Sequence, residues 1–400
     1  MDQKKTIKRA ARLDTIPSGW KLTRAGKVCS IRNDLRLPIS VVERAKIQGN
    51  FPYYGPTGVL DYINEYRLDG EFALIGEDGD HFLKYSEKPQ TLIVKGRFNV
   101  NNHAHVIEST AQCTAKWFFN FFRHRNITNF LTRQGAGRYK LNKETLTKLP
   151  ILIPPIKEQI EISNVLSTWD AAIEKTERLI AAKETAKKSL MQRILTGKKR
   201  LSGFTKPWRE FHLGDLFKER VERGYDHLPL LSITREEGVI PREEVGRKDT
   251  STGDKSKYLR ICPGDIGYNT MRMWQGVSAL SAYEGIVSPA YTIVIPKKNV
   301  DGEFAAYLFK LPKVIHLFYR YSQGLTSDTW NLKFRHFKEI KISIPEVDEQ
   351  KAISQIFKTS DAELALLRTK FAALQKQKRG LMQKLLTGQW RVKVPEAEEN

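Results

Sequence analysis

Apolar residues recur at alternating steps of three and four along two segments of this chain. This spacing places the apolar side chains on one face of a helix and is typical of a coiled-coil seam. The second segment carries the more continuous seam, because polar residues interrupt the first. We expect the two helices to pair through Leu166, Trp169, Ile173, Ile180, Leu190 and Ile194 in the first segment and through Phe357, Leu364, Leu367, Phe371, Leu374, Leu381 and Leu385 in the second.

The two segments belong to an internal repeat. The alignment that places Pro154 on Pro345 continues without a gap to Gly197 and Gly388, where the octapeptides LMQRILTG and LMQKLLTG end. Weaker matches lie upstream in each half of the chain. An internal duplication of a half-protein of about 190 residues is the simplest explanation.

Each repeated helix has a start signal and a stop signal in the sequence. The segments ILIPPIKEQ and ISIPEVDEQ precede the two seams, and proline blocks a helix upstream while it allows one to begin just after it. The glycine that ends each octapeptide permits the left-handed conformation in which helices stop. About 40 residues at ~1.5 Å each predict a rod of roughly 60 Å.

Two arrangements of the rods are compatible with these seams. The rods could pair with each other, or each could pair with another protein. Antiparallel pairing within the chain would make a two-armed spacer with a globular region at either end. The alternative is a plain duplicated helical hairpin that serves dimerisation.

The globular regions that precede the two rods, here called the first and second heads, have diverged almost beyond alignment. The first head contains the strand-like runs EFALI and TLIVK and an aromatic helix, TAKWFFNFFRHRNITNFL. The second contains the strand-like run YTIVIP and an equivalent helix around FAAYLFKLPKVIHLFYRY. Unlike heads on similar rods suggest two different targets, each read by an α/β head with short strands and one packing helix.

The predicted fold is α+β, with two α/β heads separated and joined by two long helices that form an antiparallel coiled coil with a pseudo-twofold internal repeat. The predicted segments are a basic N-terminal tail (1–15), the first head (16–153), the first spacer helix (154–200), the second head (201–344), the second spacer helix (345–390) and a C-terminal tail (391–400).

Loops that follow strands are the expected places for polar side chains that read a ligand. In the second head the loop NTMRMWQG offers amide side chains that match adenine, an arginine that matches guanine and apolar groups that suit thymine methyls. Its candidate DNA-binding residues are Asn269, Thr270, Arg272, Trp274 and Gln275. The alternative for Trp274 is a place in the core.

The first head offers a rigid aromatic turn and a polar turn. Its candidate DNA-binding residues are Tyr53, Tyr54, Thr57, Asn102 and His103, and the two tyrosines could instead belong to the core. His103 and His105 could form a metal pair because alternate strand residues share a face. No third ligand is evident, so a structural or DNA-proximal role is favoured and no metal is expected.

An acidic turn, Gly76 to Asp80, is the expected counterpart in the first head of the NTMRMWQG loop. Its carboxylates do not follow the spacing of an EF-hand. We therefore interpret it as an ordinary acidic turn.

Charge points to the class of partner. Lys and Arg number 67 against 45 acidic residues, a formal net charge of +22, which favours a polyanion, with nucleic acid first. No signal-peptide core or membrane-length apolar run is present in the sequence, so a cytoplasmic protein without a membrane partner is expected. The cysteines, Cys29, Cys113 and Cys262, fit neither a zinc cluster nor a disulfide framework and are interpreted as buried thiols.

Motifs for catalysis are missing from the sequence. It contains no Gly-x-x-x-x-Gly-Lys-Ser/Thr phosphate loop, no Asn-Pro-Pro or Asp-Pro-Pro motif of amino-methyltransferases, and no nuclease signature of the Pro-Asp and Glu-x-Lys type. The sequence therefore indicates a protein that recognises rather than reacts, with no catalytic residues.

The helix starts IPPIKEQIEIS and IPEVDEQKAIS, the two octapeptides, and the head motifs PYYGPTGVLDYI, VNNHAHV and GDIGYNTMRMWQG together resemble the specificity subunit of type I restriction-modification systems. The resemblance covers nearly the whole chain. It implies that each head is a target recognition domain for one half of a split, asymmetric site in double-stranded DNA, and that the paired helices set the spacing. It implies docking of two modification (methyltransferase) subunits that methylate adenine, and assembly with restriction (endonuclease/translocase) subunits.

The same resemblance implies that this chain binds no cofactor itself. S-adenosylmethionine would belong to the modification subunits, and ATP and Mg²⁺ to the restriction subunits. One alternative is a nucleic-acid-binding scaffold without a methyltransferase partner, with RNA among its candidate ligands. The other is an unrecognised enzyme with its site in one head.

Overall fold

The computed structural model describes residues 16–134, 138–246 and 254–394. Its helices are α1 (Ala25–Val28), α2 (Val41–Lys46), α3 (Ala115–Phe122), α4 (Lys143–Lys148), α5 (Ile156–Ile194), α6 (Leu213–Leu216), α7 (Gly302–Leu308), α8 (Pro312–Tyr321), α9 (Phe334–Phe337) and α10 (Val347–Leu385). Short 3-10 turns cover Asn33–Leu35, Asp80–Lys84, Thr128–Phe130, Arg242–Glu244 and Met273–Gln275.

The strands of the first head are β1 (Lys21–Arg24), β2 (Ser30–Ile31), β3 (Gln48–Tyr54), β4 (Val59–Ile63), β5 (Leu68–Gly76), β6 (Thr91–Val100), β7 (Ala104–Glu108), β8 (Thr132–Gln134), β9 (Arg138–Lys140) and β10 (Pro150–Ile153). Those of the second head are β11 (Arg209–His212), β12 (Phe217–Arg220), β13 (Leu231–Ile233), β14 (Val239–Pro241), β15 (Leu259–Ile261), β16 (Ile266–Asn269), β17 (Ser278–Leu280), β18 (Gly285–Val287), β19 (Tyr291–Pro296) and β20 (Lys341–Ile344).

The chain forms two compact units, and the division falls inside both long helices. Unit 1 comprises Met1–Glu177 and Lys370–Asn400, and unit 2 comprises Arg178–Thr369. Each unit therefore contains one head, the start of one long helix and the end of the other.

The two long helices begin and end where the sequence predicts. Both α5 and α10 are 39 residues long, and α5 begins directly after Pro154-Pro155. Gly197 and Gly388 adopt φ values of 72° and 71°. The amide of Gly197 donates to the Ile194 carbonyl at 3.0 Å, and that of Gly388 to the Leu385 carbonyl at 3.2 Å. These bonds satisfy carbonyl groups that the helix ends would otherwise leave unpaired.

The first head is built on a six-stranded sheet in the order β2-β7-β5-β6-β3-β4. Its described pairings are antiparallel except that of β3 with β6. Helix α3 buries Trp117, Phe118 and Phe122 in the core. The predicted aromatic helix was too long, because the Asn126 side chain accepts from the Thr128 amide at 3.0 Å and hydroxyl at 2.6 Å. Such a local bond competes with helix formation.

The second head contains a four-stranded sheet in the order β12-β19-β16-β17 and the two-stranded pairs β13-β14 and β15-β18. The single packing helix predicted here is wrong, since the segment forms two helices, α7 and α8. Pro312 occupies the first turn of α8. Proline cannot donate a backbone hydrogen bond and restricts the preceding residue, so the helix must break before it.

A short antiparallel pair closes each head next to its long helix. Strand β1 pairs with β10 in unit 1, and β11 pairs with β20 in unit 2. Gly26 and Gly214 occupy corresponding places in the two repeats, just after β1 and β11. A Cβ on Gly26 would come within 2.5 Å of the Thr147 Cβ, and one on Gly214 within 2.9 Å of the Lys338 Cβ. These positions require glycine to let two segments approach closely.

A buried glutamate marks the start of each long helix. Glu158 is 2% exposed and accepts bonds from Trp20 Nε1 at 2.9 Å and from the Arg391 guanidinium at 2.6 and 2.9 Å. In unit 2, Glu349 is equally buried and accepts two bonds of 2.6 Å from Arg200. Each arginine lies just beyond the octapeptide of the other repeat, so a helix start and a helix end meet in each unit.

The glutamine that follows each glutamate ties the helix to its head. Gln159 Oε1 accepts from the Thr114 amide at 2.9 Å, at the start of α3. Gln350 Oε1 accepts from the Asp301 amide at 2.8 Å, at the start of α7. This equivalence explains why the sequence repeats a Glu-Gln pair.

Ion pairs continue along the paired helices and show their direction. In unit 1, Glu158 is paired with Arg391 and the later Asp170 with the earlier Lys378. In unit 2, Lys187 is paired with Asp361 and the later Arg200 with the earlier Glu349. The two helices therefore run antiparallel in each unit, as predicted. The pairs are Asp170 with Lys378 in unit 1, and Lys183 with Glu363, Glu184 with Arg368 and Lys187 with Asp361 in unit 2.

The residues predicted to pair the helices are all buried or half-buried. The buried ones are Leu166, Ile194, Phe357, Leu364 and Leu385. The half-buried ones are Trp169, Ile173, Ile180, Leu190, Leu367, Phe371, Leu374 and Leu381.

The three cysteines are free thiols. Cys113 is buried as expected, whereas Cys29 and Cys262 are only half-buried. The Sγ atoms of Cys29 and Cys113 lie 3.6 Å apart, and this hydrogen bond, together with burial, raises the pKa of the Cys29 thiol. Across the described part of the chain, no helix is both long and apolar enough to cross a membrane.

The first prediction concerns the buried glutamates. We expect Glu349→Ala to lower the free energy of unfolding by about 3 kcal/mol, because the substitution leaves the Arg200 guanidinium without its buried partner. Urea unfolding of the purified chain, followed by circular dichroism, measures this loss.

The matched control is Glu346→Ala, at the same helix start. The ion pair of Glu346 with Lys206 is largely solvated, with side chains 46% and 72% exposed. Its loss should cost about 0 to 1 kcal/mol. Equal losses for the two variants would contradict a special role for the buried pair.

Candidate nucleic-acid interface

A tight turn over residues 269–276 follows strand β16 in the second head. Asn269 Oδ1 accepts from the Met271 amide at 3.0 Å, and the fully buried Met273 anchors the turn in the core. Gly276 ends it with a φ of 79°. The side chain of Asn269, the buried Met273 and the left-handed Gly276 thus fix the conformation of the turn, as a rigid binding surface requires.

The candidate residues of this turn differ in their exposure to solvent and in their hydrogen-bond partners. Arg272 is exposed, and within the described residues its guanidinium has no hydrogen-bond or ion-pair partner. Trp274 and Gln275 are half-buried, and Trp274 Nε1 donates to the Met271 carbonyl at 3.0 Å. Thr270 Oγ1 lies 2.9 Å from Thr292 Oγ1. Arg272 is therefore the freest polar group, while Asn269 and Thr270 also support the turn.

An aromatic cluster continues the surface beside the turn. The Trp274 and Trp330 rings meet edge to face with centroids 5.1 Å apart, and the Tyr319 and Trp330 rings are 4.9 Å apart. Exposed aromatic faces are able to stack on bases. Sequence reasoning missed Trp330 and Tyr319, because only the fold brings them to the turn.

The candidate turns of the first head follow the carboxyl ends of the neighbouring strands β3 and β6. Tyr54 is paired in parallel with Val100, so the loops that follow β3 and β6 leave the sheet side by side. Thr57 is exposed in the first loop, and Asn102 and His103 are exposed in the second. Tyr54 is half-buried, with its ring edge to face on Phe98 at 5.7 Å.

The acidic turn lies next to these loops. The Glu77 amide donates to the His103 carbonyl at 2.8 Å, and the Asp78 carboxylate lies 2.9 Å from His103 Nδ1. Arg36 donates to the Glu77 carboxylate at 2.7 Å. The carboxylates thus serve to hold His103 and Arg36. No group of three metal-ligating residues is found within the ranges that the structure describes.

Tyr53 was wrongly predicted to contact DNA. Its ring is fully buried, its hydroxyl donates to the Leu37 carbonyl at 2.6 Å, and the Arg44 guanidinium lies 4.9 Å from the ring centre. The alternating pattern of β3 explains the error, since neighbouring strand residues face opposite sides of a sheet. Tyr54 rather than Tyr53 reaches the surface.

The two histidines of the candidate metal pair have different surroundings. His105 is buried, with Nδ1 2.8 Å from the Asn33 amide nitrogen and Nε2 2.7 Å from the Leu141 carbonyl oxygen. Both ring nitrogens are thus engaged, and burial lowers the pKa of His105. His105 is therefore a structural residue, and only His103 faces solvent.

A family model described as "Type I restriction modification DNA specificity domain" matches the chain twice, over residues 17–184 and 205–376. A putative type I restriction enzyme specificity subunit from Haemophilus influenzae is 34% identical over 145 residues, which are 36% of this chain and 36% of that protein. The type I restriction enzyme MjaVIII specificity subunit from Methanocaldococcus jannaschii is 22% identical over 94% of both chains.

The fold also resembles a solved structure. The type I restriction-modification system S subunit from M. genitalium superposes with a TM-score of 0.61 at 14% identity, over 93% of this chain and 96% of that one. At this identity the likeness concerns the fold.

The burial of Tyr53 leads to the second prediction. Tyr53→Phe should lower the free energy of unfolding by about 1 to 2 kcal/mol, because the Leu37 carbonyl loses its buried donor. Affinity for nucleic acid should not change. Denaturant unfolding measures the stability, and fluorescence anisotropy with labelled duplexes measures the affinity. A loss of affinity without a loss of stability would mean that Tyr53 contacts DNA.

Proposed function

Because the chain belongs to the family of type I restriction-modification DNA specificity domains, we propose that each head reads one half of a split DNA site. One observation carries this proposal above others: each family-matched segment holds one head with its own exposed polar turn. The turns differ in chemistry, with Arg272 beside an aromatic cluster in one and His103 beside acidic groups in the other. Unlike turns suit unlike half-sites.

The paired helices are the spacer of this proposal. Buried glutamates paired with arginines and the ion pairs along α5 and α10 hold the helices in register within each unit, which supports a role of helix length in setting the gap between half-sites. Two modification subunits dock on the assembly and methylate adenine, with S-adenosylmethionine bound by those subunits. Restriction subunits, when present, supply the ATP- and Mg²⁺-dependent step.

This chain itself acts by recognition, as the non-catalytic specificity subunit. Its surplus of Lys and Arg, with a formal net charge of +22, supports binding to the phosphate backbone, which positions a protein without reading sequence. Base contacts from the turns then supply the specificity.

Mapping of methylated adenines tests the proposal as a whole. The chain is expressed with its modification subunit, and methylated positions in the host DNA are located by sequencing. A two-part motif with a fixed gap is expected. Methylation at a continuous motif, or binding that prefers RNA to duplex DNA, would contradict the proposal.

The third prediction concerns Arg272. Arg272→Ala should cost about 1 to 3 kcal/mol of binding free energy on the cognate site, because a bidentate contact to guanine would be lost. The loss should depend only on the half-site read by the second head, as measured by competition with duplexes in which one half is scrambled.

Arg320→Ala is the control, since Arg320 is an exposed arginine on α8 of the same head. It should weaken binding to cognate and scrambled duplexes equally. The same uniform weakening by Arg272→Ala would make Arg272 a phosphate contact instead of a base reader.

The fourth prediction concerns the spacer. Seven helical residues inserted after Glu177 and seven after Thr369, at the division between the units, add about 10 Å to each rod while they keep the phase of the seam. At about 3.4 Å per base pair, the gap between half-sites should grow by roughly three base pairs.

Methylation mapping checks this outcome. The bases of both half-sites should stay the same, because the heads are unchanged. An unchanged gap with full activity would mean that the rods do not set the distance, and altered half-site bases would mean that the heads do not read independently.

A further inference from the structure

Lys310 lies in the short connection between α7 and α8 of the second head, and its side chain is directed at backbone oxygens. Its Nζ donates to the carbonyls of Ser278 at 2.6 Å, Gly276 at 2.9 Å and Arg235 at 3.3 Å. An ammonium group has three donor hydrogens, so these contacts use its whole capacity.

The three carbonyls belong to two loops that Lys310 joins. Gly276 and Ser278 end the turn that carries Arg272 and begin strand β17. Arg235 lies in the loop between β13 and β14, where Thr234 Oγ1 accepts from the Glu237 amide at 2.9 Å. Lys310 therefore links the candidate reading turn to a second surface loop through a single half-buried charge.

Gly276 is fitted to α8 as well as to Lys310. A Cβ at this position would lie 2.7 Å from the Ile315 Cδ1, and its φ of 79° is in the left-handed region that favours glycine. Ile315 packs closely against Gly276, and Lys310 donates to its carbonyl. The positions of Arg272 and Gln275 in the turn therefore depend on both residues.

The first head uses its equivalent cation differently. Gln159 accepts from the Thr114 amide, and Gln350 accepts from the Asp301 amide. Arg123 lies nine residues after Thr114, and Lys310 lies nine residues after Asp301, so the two cations are equivalent. Arg123 Nη1 donates to both carboxylate oxygens of Asp170 on α5, at 3.1 and 2.9 Å. In unit 2 the equivalent carboxylate, Asp361, is occupied by the Tyr307 hydroxyl at 2.7 Å and by Lys187.

Because Tyr307 and Lys187 bind Asp361, Lys310 has no bond to the long helix α10, every residue of which the structure describes. Tyr307 stands where the first head has Asn120, whose amide instead lies 3.4 Å from the Ser163 hydroxyl. The second head thus supplies its own donor to the long helix and leaves the lysine for the loops.

We propose that Lys310 is a positioning residue for DNA reading by the second head, which holds the Arg272 turn and the Arg235 loop in the arrangement that matches its half-site. The proposal rests on the function proposed above. It assigns to the second head a control over specificity that the first head lacks, because the corresponding Arg123 is bound to the long helix.

The charge state of Lys310 provides an independent observable. Burial, and then the nearby Arg235, lower the pKa of Lys310 to about 8. Above that pH the neutral amine keeps two donor hydrogens, and each bond is weaker than one from a cation. Discrimination by the second head should therefore fall between pH 7 and about 9, while discrimination by the first head stays constant.

Other charged and titratable groups line the same cleft, which has a volume of about 1030 Å³. They are Arg235, Glu236, Glu184, Lys187, Lys188, His316, Tyr319, Asp361 and Arg368. The pH profile of Lys310→Arg separates Lys310 from these groups, because an arginine stays charged from pH 7 to 9 while the other groups are the same in both proteins.

Loss of stability would not explain this pH effect. The unfolded chain holds the proton of a lysine to about pH 10.5, so between pH 8 and 10.5 the unfolded state binds more protons than the folded state. The contribution of Lys310 to the free energy of unfolding therefore rises with pH over this interval.

The experiment compares Lys310→Met, Lys310→Arg and Lys313→Met in the complex with the modification subunit. Affinity is measured by competition for three duplexes: the cognate site, the site with only the second head's half scrambled, and the site with only the first head's half scrambled. Lys313 is the control because it is an exposed lysine in the same segment. Thermal unfolding of each variant is measured in parallel.

Lys310→Met should reduce discrimination against the duplex scrambled in the second head's half by about tenfold, the effect of losing one well-made polar contact. Discrimination in the other half should not change. Lys310→Arg keeps the charge and should recover part of the loss, and Lys313→Met should weaken all three duplexes equally.

A folded Lys310→Met variant with unchanged discrimination, or with equal loss in both halves, would overturn the proposal. If the variant does not fold, the pH profile of the wild-type complex decides, and a flat profile for the second head between pH 7 and 9 overturns it. Failure of the function proposed above is seen separately, since the wild-type complex would then discriminate against neither scrambled half.

Discussion

A carboxylate that is removed from water at the start of a helix must find a cation, and in this protein that cation comes from beyond the end of the other long helix. Glu158 is paired with Arg391 and Glu349 with Arg200. An unpaired buried carboxylate would cost several kcal/mol. The start of each rod is therefore stable only beside the end of the other, and the antiparallel arrangement follows from this requirement as much as from the apolar seam.

The same positions connect the rods to the heads. The glutamine next to each buried glutamate receives a backbone amide from the helix that packs against the head's sheet, and the last strand before each rod is paired with the first strand of the head. Each head is thus joined to its rod by a helix cap, a strand pair and a buried charge. This leaves the loops at the surface free to vary, since they take no part in these joints.

Local signals in the sequence were sufficient for the rods. Proline before a helix, glycine after it and a three-four spacing all act within a few residues, and the structure confirms each of them. Contacts between distant segments could not be predicted in this way. The cluster of Trp274 with Trp330 depends on a fold that brings them together. Tyr53 was misassigned because a turn motif does not tell which of two neighbouring strand residues faces inward, and Pro312 was a local signal for a helix break that the aromatic pattern concealed.

The division of the chain into units has a consequence for its synthesis. Unit 2 is a continuous stretch, Arg178–Thr369, whereas unit 1 needs residues from both sides of it. A ribosome that releases the chain from its N-terminus onward, at about 5 to 20 residues per second, therefore completes unit 2 first. The first head must wait for Arg391 before Glu158 gains its cation. The 22 residues from Thr369 to Arg391 take roughly one to four seconds at these rates. During that interval the second head is complete and the first is not, so a chaperone or a partner subunit can act on the first head alone.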